Sequence, residues 1–401
     1  MITTNPSARL LPVLAFCSFL VGFDAIATVP LLPAISQSTD MPLESGGLLY
    51  TGYAAAYALT APWMGSLSDR WSRKGMLLIG LILFGVSTAL VGMGNTFAEL
   101  ILFRILTGIG AGMIEPTVYA IAGDAYAYEA RGRAMGVITA ALIASSVLGV
   151  PLAGAVAEYA SWSGAFWIIA VLAGIALGWA AVVIPVGKAK HDAAGLSAQL
   201  RIVFRNSSVF YSLLGSFLYF GALQGMFALA GVFYFTYYGL GSGETGLMLT
   251  AAGASSVAGS LLGGRWADRS RKHRVVVWAG VPAGIFVFAL SLITVHLWVS
   301  IVLHMLWAAF YAAGQAAFTA LVSELDPRAR GTVLSYNSSA MYIGAGAMSA
   351  IAAALLTTGS FWPIGLMCGL ANLLAAVLAT TKIREQGRDR SAAEHASPGA
   401  G

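Results

Sequence analysis

Charge is scarce in this chain. Only 10% of its 401 residues are Asp, Glu, Lys or Arg, while 58% are hydrophobic. A water-soluble protein of this length could not cover its surface with so few charges, so a bilayer must be its main solvent. Cysteine is nearly absent too. Cys17 and Cys368 are the only two, each inside a long apolar run, which excludes a disulfide framework and a cysteine-ligated metal site. No HExxH, no Ser/His/Asp arrangement and no phosphate-binding glycine loop occurs. Neither an enzyme nor an ATP-driven pump is indicated, and no cofactor or metal is expected. The polar segments are also too short for a signalling domain, which counts against a membrane sensor.

What fills the chain is a series of apolar runs of about 20 residues, each long enough to cross a hydrocarbon core of ~30 Å as a helix. Twelve are predicted, near 10–34, 45–66, 75–94, 98–122, 132–157, 163–186, 209–237, 244–264, 275–294, 297–322, 332–356 and 361–382. They lack the strand alternation of a barrel, and lipid cannot satisfy an exposed backbone group, so helices are expected. The expected fold class is an all-α membrane protein of twelve transmembrane helices. The first run carries Pro30 and Pro33 and no short apolar core ahead of a small-residue cleavage site, so it reads as a retained span.

The net charge of +5 raises the question of nucleic acid, but the positions of the charges exclude it. Of the 22 Lys and Arg residues, 21 fall at the N-terminus, in alternate loops or in the C-terminal tail. The opposite loops carry Asp40, Glu44, Glu99, Glu158 and Glu244 with no Lys or Arg. This is positive-inside asymmetry. It predicts an even number of spans with both termini cytoplasmic, in a cell membrane of the bacterial inner-membrane type.

The most charged phrase occurs twice, as GSLSDRWSRK at 65–74 and GGRWADRSRK at 263–272. Asp69-Arg70 recurs as Asp268-Arg269, and Ala130-Arg131-Gly132 as Ala329-Arg330-Gly331, both at an offset of 199. A shared offset of half the chain implies two similar six-span halves. The expected domains are residues 1–186, a cytoplasmic linker at 187–207, a second bundle at 208–382 and a tail at 383–401. Halves with an even number of spans run parallel, so a pseudo-twofold axis along the membrane normal should relate them, with the functional site where they meet.

GSLSDRWSRK resembles the loop signature of the major facilitator superfamily, G-x-L-x-D-R-x-G-R-K, with Ser72 in place of the usual Gly. ILFRILTGIGAG from Ile101 resembles its span-4 motif, and LGVPLAG from Leu148 its span-5 exporter motif, with Val150 where many members have Gly. DAIATVPLLP in span 1 and WSGAF opening span 6 are similar to the twelve-span drug/arabinose efflux permeases, the drug:proton antiporter branch. The resemblance implies a cavity lined by spans 1, 4, 7 and 10. It also implies a conformational latch in which Asp69 docks on the start of span 11 and Arg73 pairs with Asp124, with Asp268 and Arg271 a looser copy. The plainer account of the basic loops is that they only hold orientation.

Within the spans the ionisable residues are Asp24, Arg104, Glu115 and His304. Each costs roughly 2.5–3.5 kcal/mol at a helix centre, so each should face a partner or a watery cavity. Asp24 and Arg104 lie at overlapping depths, which allows them to pair. Glu115 follows Arg104 by eleven residues, three helical turns, and shares its direction. His304, Tyr311 and Gln315 form one polar stripe on span 10. An offset of 200 carries Asp24 to Gln224, Arg104 to His304 and Glu115 to Gln315. The expected substrate cavity is therefore Asp24, Arg104, Glu115, Gln224, His304, Tyr311 and Gln315, with Asp24, Glu115 and Arg104 handling the proton. The plainer alternatives are a structural ion pair for Asp24, a packing anchor for Arg104 and a neutral hydrogen-bonded histidine at 304.

These features predict a monomeric, proton-coupled antiporter exporting a small organic molecule or drug by alternating access. Proton symport of a metabolite is the alternative. The glycines around Arg104 and Pro151 are expected to let helices approach closely, and the aromatics of span 7 either stack on substrate or pack against lipid.

Overall fold

A computed structural model describes residues 9–39, 41–70, 72–126, 128–185, 206–325 and 330–383; within these, the side chains of 65–70, 128–132, 268, 330–332 and 335 are not described. Most of the expected linker and tail lie outside the described residues.

The chain folds into long helices. The first six are α1 (Leu10–Thr39), α2 (Gly46–Arg70), α3 (Arg73–Val91), α4 (Phe97–Ala125), α5 (Tyr128–Tyr159) and α6 (Trp162–Val183). The rest are α7a (Ser207–Phe227), α7b (Ala230–Tyr238), α8 (Ser242–Arg269), α9 (Lys272–Leu292), α10 (Leu297–Glu324), α11 (Arg330–Leu356) and α12 (Trp362–Thr381). Among the described residues, eleven spans are long and apolar enough to cross a membrane, counting α7a with α7b. The twelfth, α2, is diluted by Tyr50, Tyr53, Tyr57 and small residues. Large side chains such as Leu148, Val182, Trp278 and Trp298 stand exposed on the outside of the bundle. Apolar surface of that extent is stable only against lipid.

The seventh run is broken where the sequence predicts one helix. The Leu229 N–H reaches back to Met226 rather than to Gly225, and the Ala228 N–H is shared between Gln224 and Met226. This one tightened turn re-aims the chain. α7b then lies against α1, where a side chain on Gly231 would strike the backbone of Val29 and Pro30. It ends at Gly239, whose φ of 66° closes a left-handed cap with its N–H bonded to Phe235.

Packing repeats between the halves. α2 lies on α4 as α8 lies on α10, α1 on α5 as α7a on α11, and α3 on α4 and α6 as α9 on α10 and α12. The halves meet along α2–α11 and α5–α8, which are symmetry mates of one another, and along α1–α7b. Small residues make these seams. A Cβ on Gly154 would sit 2.5 Å from the Ser242 carbonyl oxygen, and one on Gly47 would sit 2.9 Å from that of Ser349. Hydroxyls then stitch the backbones: Ser349 donates to the Gly47 carbonyl at 2.9 Å and Thr51 to the Gly346 carbonyl at 3.1 Å. All of these contacts lie toward the end of the bundle opposite the termini.

Candidate functional site

α4 starts at a fixed point. Thr96 and Glu99 form a capping box, so Arg104 enters the bundle two turns in. One turn later Gly108 has no side chain, and the backbone of Tyr53 on α2 occupies the space a Cβ would fill. That approach brings the Tyr53 ring under the Arg104 guanidinium, 4.6 Å from its centroid. Arg104 Nη1 donates to Asp24 Oδ2 at 2.7 Å, with both side chains almost fully buried. Thr88 on α3 donates to the other oxygen, Oδ1, at 3.3 Å. Asp24 is thus neutralised from within its own half. Arg104 keeps two nitrogens, Nε and Nη2, without a hydrogen-bond partner among the described residues.

Three turns further along α4, Glu115 meets α1 again. Its Oε1 accepts from Ser18 Oγ at 2.7 Å, and its Oε2 is buried without a partner among the described residues. Antiparallel contact of α1 and α4 explains why Arg104 finds Asp24 while Glu115 finds Ser18, nearer the start of α1.

Between these charges and the second half stands a file of tyrosines. Tyr50, Tyr53 and Tyr57 fall at i, i+3 and i+7 on α2, so they share one face. Gln224, at the end of α7a, donates to the Tyr50 hydroxyl. Tyr57 stacks on Tyr342 of α11 at 3.9 Å between centroids, and Phe220 of α7a lies tilted against Tyr342 at 5.9 Å. Tyr311 stacks on Tyr219 at 5.0 Å, and its hydroxyl donates to Gln315 Oε1 at 3.1 Å. Gln315 in turn donates to Thr319 at 3.3 Å.

His304 is set elsewhere. Its Nδ1 shares a hydrogen bond of 3.0 Å with the Tyr234 hydroxyl of α7b, and its ring packs beside Phe227, Tyr234 and Trp307, all of the second half. The span-7 aromatics are mostly packed inside the protein, Phe233 and Tyr234 being fully buried.

At the end nearer the termini, Arg73 pairs with Asp124 at 2.7 Å and also donates to the Ala120 carbonyl. Lys74 donates to the Ala181 carbonyl at 2.6 Å, capping the last turn of α6. The second half repeats the pair as Lys272–Glu324 at 3.0 Å. These two residues stand 199 and 200 positions after Arg73 and Asp124. Arg271, the residue read from the sequence, is instead the N-cap of α9. The side chains of Asp69 and Asp268 lie outside the described part of the structure.

Several of the residues that build this region escaped the sequence reading: Ser18, Thr88, the α2 tyrosines and Tyr342. The i, i+3, i+7 spacing was the signal that could have found the tyrosines, and the 199–200 offset the one that could have found Lys272–Glu324. The arrangement combines an internally neutralised ion pair, one carboxyl group with an oxygen that has no partner among the described residues, and a wall of hydroxylated aromatic rings between two six-helix bodies.

The family model of the Major Facilitator Superfamily matches residues 14–243 and again 226–399. The MFS-type transporter YceJ of Bacillus subtilis (strain 168) is 28% identical over 380 residues, 94% of this chain and 96% of that protein. The quinolone resistance protein NorA of Staphylococcus aureus is 29% identical over 170 residues, 41% of this chain and 44% of NorA. Among solved structures, a D-xylose-proton symporter superposes with a TM-score of 0.77 at 16% identity, covering 94% of this chain and 98% of its own. A bacterial homolog of the human lysosomal transporter Spinster superposes at 0.74 and 17% identity, covering 96% and 99%. With the fold and the family model in agreement along nearly its whole length, the chain belongs to the Major Facilitator Superfamily.

Proposed function

We propose that this transporter exports small organic molecules in exchange for protons, by alternating access. The observation that carries the proposal is the burial of Asp24, Arg104 and Glu115 inside membrane-spanning helices, beside the seam between the halves. Intramembrane charges are costly and mark ion or substrate paths. Low dielectric gives a carboxyl group a choice between a proton and a counter-charge, which is the exchange an antiporter needs. The LGVPLAG segment of α5 and the likeness to NorA favour export. The protein would work as a monomer in a cell membrane, with both termini cytoplasmic, a placement the arginine and lysine distribution supports.

Everted membrane vesicles with an acidified lumen provide the test, using a panel of organic compounds and a lumenal pH dye. An antiporter admits a substrate to the lumen and releases protons, so the pH gradient collapses on addition. A compound that leaves the lumen together with protons identifies symport. A panel that moves no protons at all overturns the proposal.

A further inference from the structure

We propose that Glu115 is the carboxyl group that takes up and releases the transported proton, and that Asp24 is a fixed counter-charge that stays with Arg104. The proposal rests on the proton-coupled reading above and divides the work between its two acids.

The structure separates them by what neutralises each and by which half each faces. Both oxygens of Asp24 are occupied, Oδ2 by Arg104 at 2.7 Å and Oδ1 by Thr88 at 3.3 Å. These partners, with Tyr53 beneath the guanidinium, all belong to α2, α3 and α4 of the first half. The hydrogen bonds that neutralise Asp24 therefore come from its own half alone and do not depend on the seam.

Glu115 differs on each point. Only Oε1 is engaged, by the neutral hydroxyl of Ser18, and no ion pair reaches it among the described residues. The titratable groups around it are Cys17 on α1, Tyr57 on α2, Tyr119 on its own helix and Tyr342 on α11. Helices α3 and α5, which also pack on α4, bring no ionisable side chain into that set among the described residues, and Asp24–Arg104 lies three turns away. Four neutral neighbours leave its charge uncompensated, and an uncompensated buried charge must gain a proton or a cationic ligand.

Tyr342 is the decisive neighbour, because it belongs to the second half and stacks on Tyr57 at 3.9 Å. When the halves rock, that pair opens or closes, and both of its rings lie within electrostatic reach of Glu115. Glu115 therefore meets water on alternate sides. The carboxylate binds one proton from one face, and the resulting acid releases the same proton to the other.

Infrared difference spectroscopy of the purified transporter in lipid, on stepping the pH, tests the assignment without any substrate. The wild type should show a protonated-carboxyl C=O band that titrates. Glu115→Gln should lose it, while the charge-neutral pair Asp24→Asn with Arg104→Gln should keep it. A band that survives E115Q overturns the proposal, as does a band lost in the pair variant alone. If the pair variant does not fold, the E115Q result decides by itself. Transport of a fluorescent quinolone into proteoliposomes under a pH gradient gives the second readout, and E115Q should not exceed empty vesicles. A wild type that shows the titrating band but moves no quinolone counts against that cargo class, not against the proton site.

Discussion

Tyr57 and Tyr342 stack face to face at 3.9 Å across the line where the two halves meet. Neither ring has that partner unless α2 and α11 are drawn together, so the contact exists only while this side of the seam is closed. An aromatic pair contributes about 0.5–1.5 kcal/mol beyond its buried area. Tyr342→Ala should therefore shift the closed–open balance roughly two- to tenfold toward open. Spin labels at the exposed turns holding Asn95 and Thr358 report it as a longer distance distribution.

Gly154 should be intolerant of any side chain. A Cβ there would sit 2.5 Å from the Ser242 carbonyl oxygen, which is backbone and cannot rotate aside. Gly154→Val should insert normally but fail to close the α5–α8 seam, with transport lost and the same label pair held apart. Gly174→Val is the matching control, since nothing lies within 4 Å of a Cβ there.

Asp24 and Arg104 should be far more costly to separate than to delete together. Breaking a buried pair leaves one uncompensated charge and costs about 3–5 kcal/mol. Asp24→Asn alone should lower the thermal unfolding temperature in detergent sharply. Adding Arg104→Gln should recover most of the loss.

The Arg73–Asp124 and Lys272–Glu324 pairs sit half-exposed at the end nearer the termini. Such pairs contribute about 0–1 kcal/mol to stability, so a latch role must show in transport instead. Asp124→Asn and Glu324→Gln should each slow transport while moving the unfolding temperature little. Exchanging the charges, Arg73→Asp with Asp124→Arg, should restore part of the rate.

Topology has a direct check. A fluorescent protein fused after Gly401 should fold and fluoresce in the cytoplasm. Alkaline phosphatase inserted at the turn holding Gly359 should be active on the opposite face. Silent fluorescence with active phosphatase at the C-terminus would reverse the orientation.

The sequence by itself determined the spans, the duplication and the family, because hydrophobic length, charge placement and a repeat offset are properties of neighbouring residues. It also allowed Asp24 to pair with Arg104, since two opposite charges at overlapping depths in lipid have little else to meet. Tertiary structure decided the rest. The stack of Tyr57 on Tyr342 depends on two helices nearly 300 residues apart in the chain, brought together by glycines whose effect is felt only at a crossing. The break after Phe227 follows from how α7b fits over Val29, not from a proline or any other local signal. His304 matched Arg104 by offset, yet its ring found Tyr234 on the re-aimed segment. And Glu115, which the sequence could only place on the same side of α4 as Arg104, stands apart from Asp24 because helix crossing gave Asp24 a cation and Glu115 the neutral hydroxyl of Ser18.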